Sequence, residues 1–407
     1  MKTRILSIVL VIGILVSPFF LLTGTGAIAA EKPIKIGLVT DLTGFLNICG
    51  IYIRMAAIMA LEEANNTVAG HPVEFIIEDE AGSPATAMDK ARKLIETDKV
   101  SLILGPFHGG AVVALANYCS KVGIPQLVTW YSIPSATMLQ TRWSWCAIGA
   151  LDEMSVGGGA YMYDVLGYRT ATTLGLDYVA GREFMGGATR TFQQKGGKII
   201  QEQWMPMDTK DVAPYLTNLK EADVFMPWWA GVTHNVGMRQ IREYNVKMPI
   251  FMPQAGWMDT PKQLQDIADY GVGMMTSDAY VWTIDTPENK AFVEKFQKRW
   301  GELPAGPAYG GYFNMKIALE ALRKTGGDTS PKALAKALDQ TKIKGFLGDI
   351  YFGDARLGVG NYFVHQCIKT DHKEQPYRTK VLARYQIRPV KAGDKVKFEI
   401  IDSEILK

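Results

Sequence analysis

The sequence predicts an α/β fold of two doubly wound parallel-sheet domains. Short apolar runs alternate with stretches of helical periodicity, the pattern of strands buried on both faces between crossover helices. The pattern restarts near residue 170, and the 407 residues are too many for one hydrophobic core. No linker rich in Pro, Gly or Ser separates the halves, so several short crossings are expected to join them.

The elements follow in order. Residues 34–39 read as a strand, and 52–64 as a helix with Met55, Ala56, Met59 and Ala60 at helical spacing. Residues 73–78 form a strand, and Ser83-Pro84 starts a helix over 85–97. Strand 102–105, helix 111–121 and strand 125–129 complete the first run. The second run reads strand 170–176, helix 183–194, strand 198–204, helix 212–219, strand 224–228, helix 235–244 and strand 250–253. Then come helices over 287–300 and 309–325, a third opened by Ser330-Pro331, and strands at 349–352, 362–370, 380–387 and 397–401.

Residues 1–30 read as a signal peptide. Lys2 and Arg4 precede an apolar stretch from Ile5 to Leu22, and Ala27-Ile28-Ala29 has the A-x-A spacing for cleavage near Ala29 or Ala30. An uncleaved anchor is the competing reading, weakened by Pro18 and by the small residues before Glu31. The mature chain is therefore expected to be exported and soluble.

Composition and motifs exclude several functions. A hydrophobic fraction of 47% and a charged fraction of 21% exclude disorder and a multi-span membrane protein. The net charge is +3 with no basic block, so no nucleic-acid partner is expected. There is no GxxxxGK[ST] loop, GxSxG elbow or HExxH pair, and the one GxGxx[GA] match lies at residues 24–29. The five His and four Cys are scattered, so no metal, cofactor or catalytic group is expected. Cys119 and Cys146 are read either as a disulfide or as buried thiols.

In open α/β sheets, ligands sit beyond the carboxyl ends of the strands. Those ends carry Phe107-His108-Gly109-Gly110, Trp130-Tyr131-Ser132, Asp177-Tyr178, Trp228-Trp229 and Gln254-Ala255-Gly256-Trp257. Gly109 and Gly110 open a helix and leave its first amides uncovered, which suits an anion. Core packing explains any single Trp, but recurrence at one level of the sheet points to an aromatic-lined cleft.

The chain resembles the type I periplasmic solute-binding proteins of the leucine/isoleucine/valine-binding family, which serve ABC importers. The resemblance lies in Ile34-Lys35-Ile36-Gly37-Leu38-Val39-Thr40-Asp41-Leu42-Thr43-Gly44 and in Val73-Glu74-Phe75-Ile76-Ile77-Glu78-Asp79. It continues through Leu104-Gly105-Pro106, Gly123-Ile124-Pro125, Asp177-Tyr178 with Gly181 and Arg182, and Gly348-Asp349-Ile350-Tyr351-Phe352. It implies two lobes joined by three crossings, 31–150 with 281–355 and 151–280 with 356–407, closing on a small ligand. It also implies a periplasmic monomer that delivers to an ABC permease with its ATPase.

By position, the family's carboxylate-binding Ser falls on Gly109, where the Gly109 and Gly110 amides remain. Its other polar contacts fall on the Trp130 carbonyl and on Ser132. Tyr178 substitutes for its second-lobe Tyr. The acid that pairs with an α-ammonium falls on Ala255. A buried ammonium without a counter-charge is costly. The loss of that acid favours an organic or aromatic acid over a branched-chain-type amino acid, with Phe107, Tyr131, Trp228 and Trp229 completing the cleft. Asp41, Asp177 and Asp259 are the alternative charges, turn capping being the other reading of the first two. A ligand-sensing receptor and an enzyme on the same scaffold are the competing functions.

Overall fold

A computed structural model describes residues 31–407 apart from Tyr131, Asp208, 256–259, Glu374 and Lys407. The signal-peptide reading, Tyr131, Trp257 and Asp259 thus lie outside the described residues.

The first half forms β1 (Ile34–Thr40), α1 (Asn47–Glu63), β2 (Thr67–Val68), β3 (His71–Asp79), α2 (Pro84–Arg92), β4 (Leu102–Leu104), α3 (Gly109–Val122), β5 (Gln126–Leu127), α4 (Ser135–Gln140) and β6 (Ser144–Trp145). The strand order is β2-β3-β1-β4-β5-β6. β1 is central and parallel to both neighbours, with Ile36 opposite Phe75 and Leu102. Its Ile36 and Leu38 are fully buried, as a strand covered on both faces requires. Ser83 caps α2 by accepting from the Thr86 amide at 3.3 Å, the role the Ser-Pro pair predicts.

The second half forms α5 (Val156–Asp164), β7 (Thr170–Leu176), α6 (Val179–Gln194), β8 (Lys198–Met205), α7 (Ala213–Leu216), β9 (Val224–Trp228), α8 (Val232–Glu243), β10 (Phe251–Met252), α9 (Pro261–Gly271) and β11 (Met275–Asp278). The chain continues as α10 (Pro287–Trp300), α11 (Gly306–Lys324), α12 (Pro331–Asp339), β12 (Lys342–Gly345), β13 (Gly348–Phe352), β14 (Gly358–Lys369), β15 (Tyr377–Ala392) and β16 (Lys395–Ile405). β8-β7-β9 is parallel, a Phe225–Ile250 bridge carries the pairing to the start of β10, and β10 and β11 are parallel.

The C-terminal third adds antiparallel strands to these parallel sheets. β14 pairs antiparallel with β11, and β15 and β16 follow as antiparallel partners. The short β14–β15 and β15–β16 connections permit only hairpins, since a parallel neighbour needs a crossover of a dozen residues or so. The helix expected over 212–219 shrinks to α7. The unread α5 contains Gly157-Gly158-Gly159, a poor helix-forming run. Packing selects those glycines: a Cβ would lie 2.9 Å from the Tyr385 ring at Gly157, 2.6 Å from Phe251 at Gly158 and 2.4 Å from the Ala188 carbonyl at Gly159.

α11 returns to pack on α1, and Gly311 lets the two touch, since a Cβ there would lie 2.1 Å from the Ile53 carbonyl oxygen. Residues 146–155 lead from β6 of the first sheet toward α5 and β7 of the second, while 279–286 join β11 to α10 and 353–357 join β13 to β14. Cys146 bridges to Leu357, and the Tyr362 hydroxyl donates to the Ile148 carbonyl at 3.2 Å. All four cysteines are buried free thiols, so Cys119 and Cys146 do not pair.

Candidate functional site

A narrow cleft lies where strand ends of the two sheets meet. From the first sheet it takes Leu46 and Cys49 after β1, Phe107, His108 and Gly109 after β4, and Trp130 and Ser132 after β5. From the second it takes Tyr178, Ala180 and Phe184 after β7, Trp228 and Ala230 at and after β9, and Gln254 after β10. Leu151 of a linking segment completes it.

Six expected residues are brought together: Phe107, Gly109, Trp130, Ser132, Tyr178 and Trp228. Three are not among the lining residues. Ala255 is buried beside Gln254. The Trp229 ring is fully buried, 6.3 Å from Phe225 and against Gly237 of α8, where a Cβ would meet it at 2.8 Å. The Gly110 amide donates to His108 Nδ1 at 3.2 Å and so is not free for an anion.

The aromatic wall has a defined geometry. The Trp228 ring stacks on Phe184 at 5.2 Å and contacts Tyr178 at 5.7 Å. Gly181 admits this wall: a Cβ would lie 2.1 Å from the Leu176 carbonyl oxygen and 3.3 Å from the Trp228 ring. The Trp228 Nε1–H is buried without an acceptor among the described residues. Trp130 has φ of +50°, a left-handed conformation that costs about 1–2 kcal/mol for a residue with a Cβ.

The polar side is sparser than the sequence implies. The Ser132 hydroxyl donates to the Thr129 carbonyl at 3.1 Å. His108 caps α3, and its Nδ1 acts as acceptor, which puts the ring proton on Nε2. Burial holds His108 below the ordinary imidazole range, so it is neutral. Fully buried Glu80 accepts from the Phe107 amide at 3.2 Å and the His108 amide at 2.9 Å. The turn expected to receive an anion is therefore already braced by an internal carboxyl group.

Two of the three candidate ammonium partners, Asp41 and Asp177, are otherwise engaged. Asp41 accepts from the Gly44 amide at 2.6 Å and the Leu46 amide at 3.0 Å, the turn-capping role. Asp177 pairs with Arg182 at 2.6 Å. Asp278 is buried, accepting from Gln254 Nε2 at 2.9 Å and the Ala279 amide at 2.8 Å. Among the described residues, no carboxylate side chain lines the cavity. No cluster of three His, Cys, Asp or Glu is arranged to hold a metal among them either.

Sequence reasoning missed Phe184 and the role of Glu80. Ala180 and Phe184 are four apart on α6, a spacing that puts both on one helix face and was available as a signal. Glu80 had no such signal, because its partners lie 27 and 28 residues away.

A family model described as periplasmic binding protein matches residues 33–373. A "Leu/Ile/Val-binding protein homolog 6" of Brucella abortus is 22% identical over 327 residues, covering 76% of this chain and 80% of that one. Two solved structures share the fold. An ABC transporter substrate-binding protein from Sphaerobacter thermophilus has a TM-score of 0.80 and 28% identity, covering 87% of this chain and 98% of that one. An ABC transporter solute-binding protein from Rhodopseudomonas palustris BisB5, in complex with 3,4-dihydroxybenzoic acid, has a TM-score of 0.79 and 24% identity, covering 87% and 97%. The doubly wound sheets, the cavity where their strand ends meet and the match over residues 33–373 converge: the chain belongs to the periplasmic binding protein family, in the type I fold that Leu/Ile/Val-binding proteins share.

Proposed function

We propose that this protein is the substrate-binding component of an ABC importer and captures a small aromatic carboxylate in the periplasm. The carrying observation is the cavity itself. It is walled by Phe107, Trp130, Tyr178, Phe184 and Trp228, with a few donors and no lining carboxylate among the described residues. A benzoate-sized ring removes on the order of 150 Å² of apolar surface from water, worth about 4 kcal/mol at 25 cal/mol/Å². Ser132, the Gly109 amide and His108 Nε2–H receive the carboxylate. The R. palustris protein with bound 3,4-dihydroxybenzoic acid supports the same ligand class.

In this reading the two lobes, 31–150 with 281–355 and 151–280 with 356–407, close about crossings near 146–155, 279–286 and 353–357. Closure removes the ligand from water and strengthens its polar contacts. The closed form is what the permease and its ATPase read.

A branched-chain-type amino acid is the second reading, favoured by the name of the Brucella relative. Its ammonium lacks a partner among the lining side chains described. Titration calorimetry with benzoate, 4-hydroxybenzoate, leucine and 4-methylpentanoate separates the two. Binding of leucine without any carboxylic acid lacking an amine refutes the aromatic-acid reading.

A further inference from the structure

Glu80 stands one residue beyond β3, with its side chain fully buried. Its two oxygens hold the amides of Phe107 and His108, immediately ahead of α3. A helix start is where unpaired amides favour an anion. Phe107, His108 and Gly109 are also a wall of the cavity. A negative ligand admitted there therefore faces the Glu80 carboxyl across one turn of backbone, and is opposed by it wherever Glu80 is ionised.

The titratable groups that act on Glu80 are Asp41 beyond β1, Asp79 at the end of β3 and His108, which contributes through its amide. Both aspartates disfavour its ionised form, and the His108 ring is neutral. Burial is the largest influence, and it pushes Glu80 up to about 8 against the pull of the two amides.

We infer that Glu80 couples ligand capture to a proton: an anion enters the cavity with Glu80 protonated, and where Glu80 was ionised beforehand, capture takes up one proton from solvent. The inference rests on the proposed carboxylate ligand. Glu80 is a positioning residue, since it holds the turn and not the ligand. An anion nearby favours the neutral carboxyl, so the bound protein keeps this proton to higher pH than the free protein. Anion affinity is therefore level below about pH 8. It then falls by up to about tenfold per pH unit, and levels again once the bound form also ionises.

Titration calorimetry with benzoate, at about pH 8.5 in two buffers of different ionisation enthalpy, counts the protons. Benzoate itself has no group titrating in this range. Wild type is expected to take up roughly half a proton or more per benzoate, and Glu80→Gln none. At about pH 9.5, Glu80→Gln is expected to bind benzoate roughly tenfold more tightly than wild type, which a damaged fold does not produce.

Glu153 in a linking segment is also pushed up to about 8 by burial, so Glu153→Gln is the second variant and is expected to keep the proton uptake. Benzoate bound by wild type without proton uptake overturns the inference and leaves the functional reading standing. Uptake that persists in Glu80→Gln, or vanishes in Glu153→Gln, overturns the assignment to Glu80. No binding of benzoate or of 4-hydroxybenzoate at any pH overturns the functional reading and the inference together.

Discussion

Gly109→Ala separates ligand contact from fold stability. Gly109 is the first residue of α3, and its φ lies outside the left-handed region. A Cβ there would meet only the Ser132 carbonyl oxygen, at an ordinary 3.5 Å. Alanine is better than glycine in a helix by about 0.5–1 kcal/mol, so the melting temperature is expected to hold or rise. In the proposed site the new methyl stands beside the amide that a ligand oxygen approaches. Overpacking of a fitted site costs about 1–3 kcal/mol, or roughly 5- to 150-fold in Kd. The assay is calorimetric titration with benzoate beside a thermal melt. Gly110→Ala is the control: its Cβ would meet the His108 ring at 3.5 Å and Pro84 at 3.8 Å, and Gly110 does not line the cavity. It is expected to bind as wild type. If Gly109→Ala also binds benzoate as wild type, the ligand does not reach this turn.

Ser132→Ala is expected to weaken benzoate binding about tenfold by calorimetry, the low end for a charge-assisted bond, because the hydroxyl must first leave the Thr129 carbonyl. Trp228→Ala is expected to cost about a hundredfold in Kd by removing the face stacked on Phe184. Trp229→Phe is expected to lower the melting temperature and leave Kd within about threefold, since its ring packs against Phe225 and α8; a large affinity loss in the folded variant would contradict that placement. Thermal stability against pH is expected to show a plateau between pH 4.5 and 6.5, because burial raises Glu80 and Glu153 from 4.5 to about 8 while it lowers His234 and His365 from 6.5 to about 3. The native state holds extra protons on the two Glu as pH rises to about 8, and the unfolded state holds extra protons on the two His as pH falls from 6.5, so stability declines on both sides; a continuous rise to pH 8 by scanning calorimetry refutes this.

Much of the fold was legible because its elements carry their own boundaries. α10 matches the expected 287–300, started by Thr286, which accepts from the Asn289 amide, and ended by Gly301 at φ of +80°. β7 and β9 also match, as apolar runs between polar turns. α5 was not legible, because three consecutive glycines oppose helix locally and the demand for them comes from Tyr385, Phe251 and the chain at Ala188. The site shows the same division. Strand-end position put Trp228 and Trp229 together, but neighbours along an extended chain point to opposite faces. One lines the cavity and the other fills the space that Gly237 leaves in α8.

The turn before α3 shows why counting donors in a sequence is not enough to place an anion. Gly109 and Gly110 do leave helix-start amides uncovered by their own side chains. Yet the amides at 107, 108 and 110 are held by Glu80 and His108, and sequence order says nothing of a carboxylate arriving from β3. What the sequence read as an empty anion site is a turn already braced by an internal acid. The donors left on the lining residues here are the Gly109 amide and His108 Nε2, with the Ser132 hydroxyl once it leaves the Thr129 carbonyl. In the proposed reading such a site discriminates through its aromatic walls, and the protonation of Glu80 governs how readily charge enters. If so, the ring determines what binds, and the carboxylate determines how binding depends on protons.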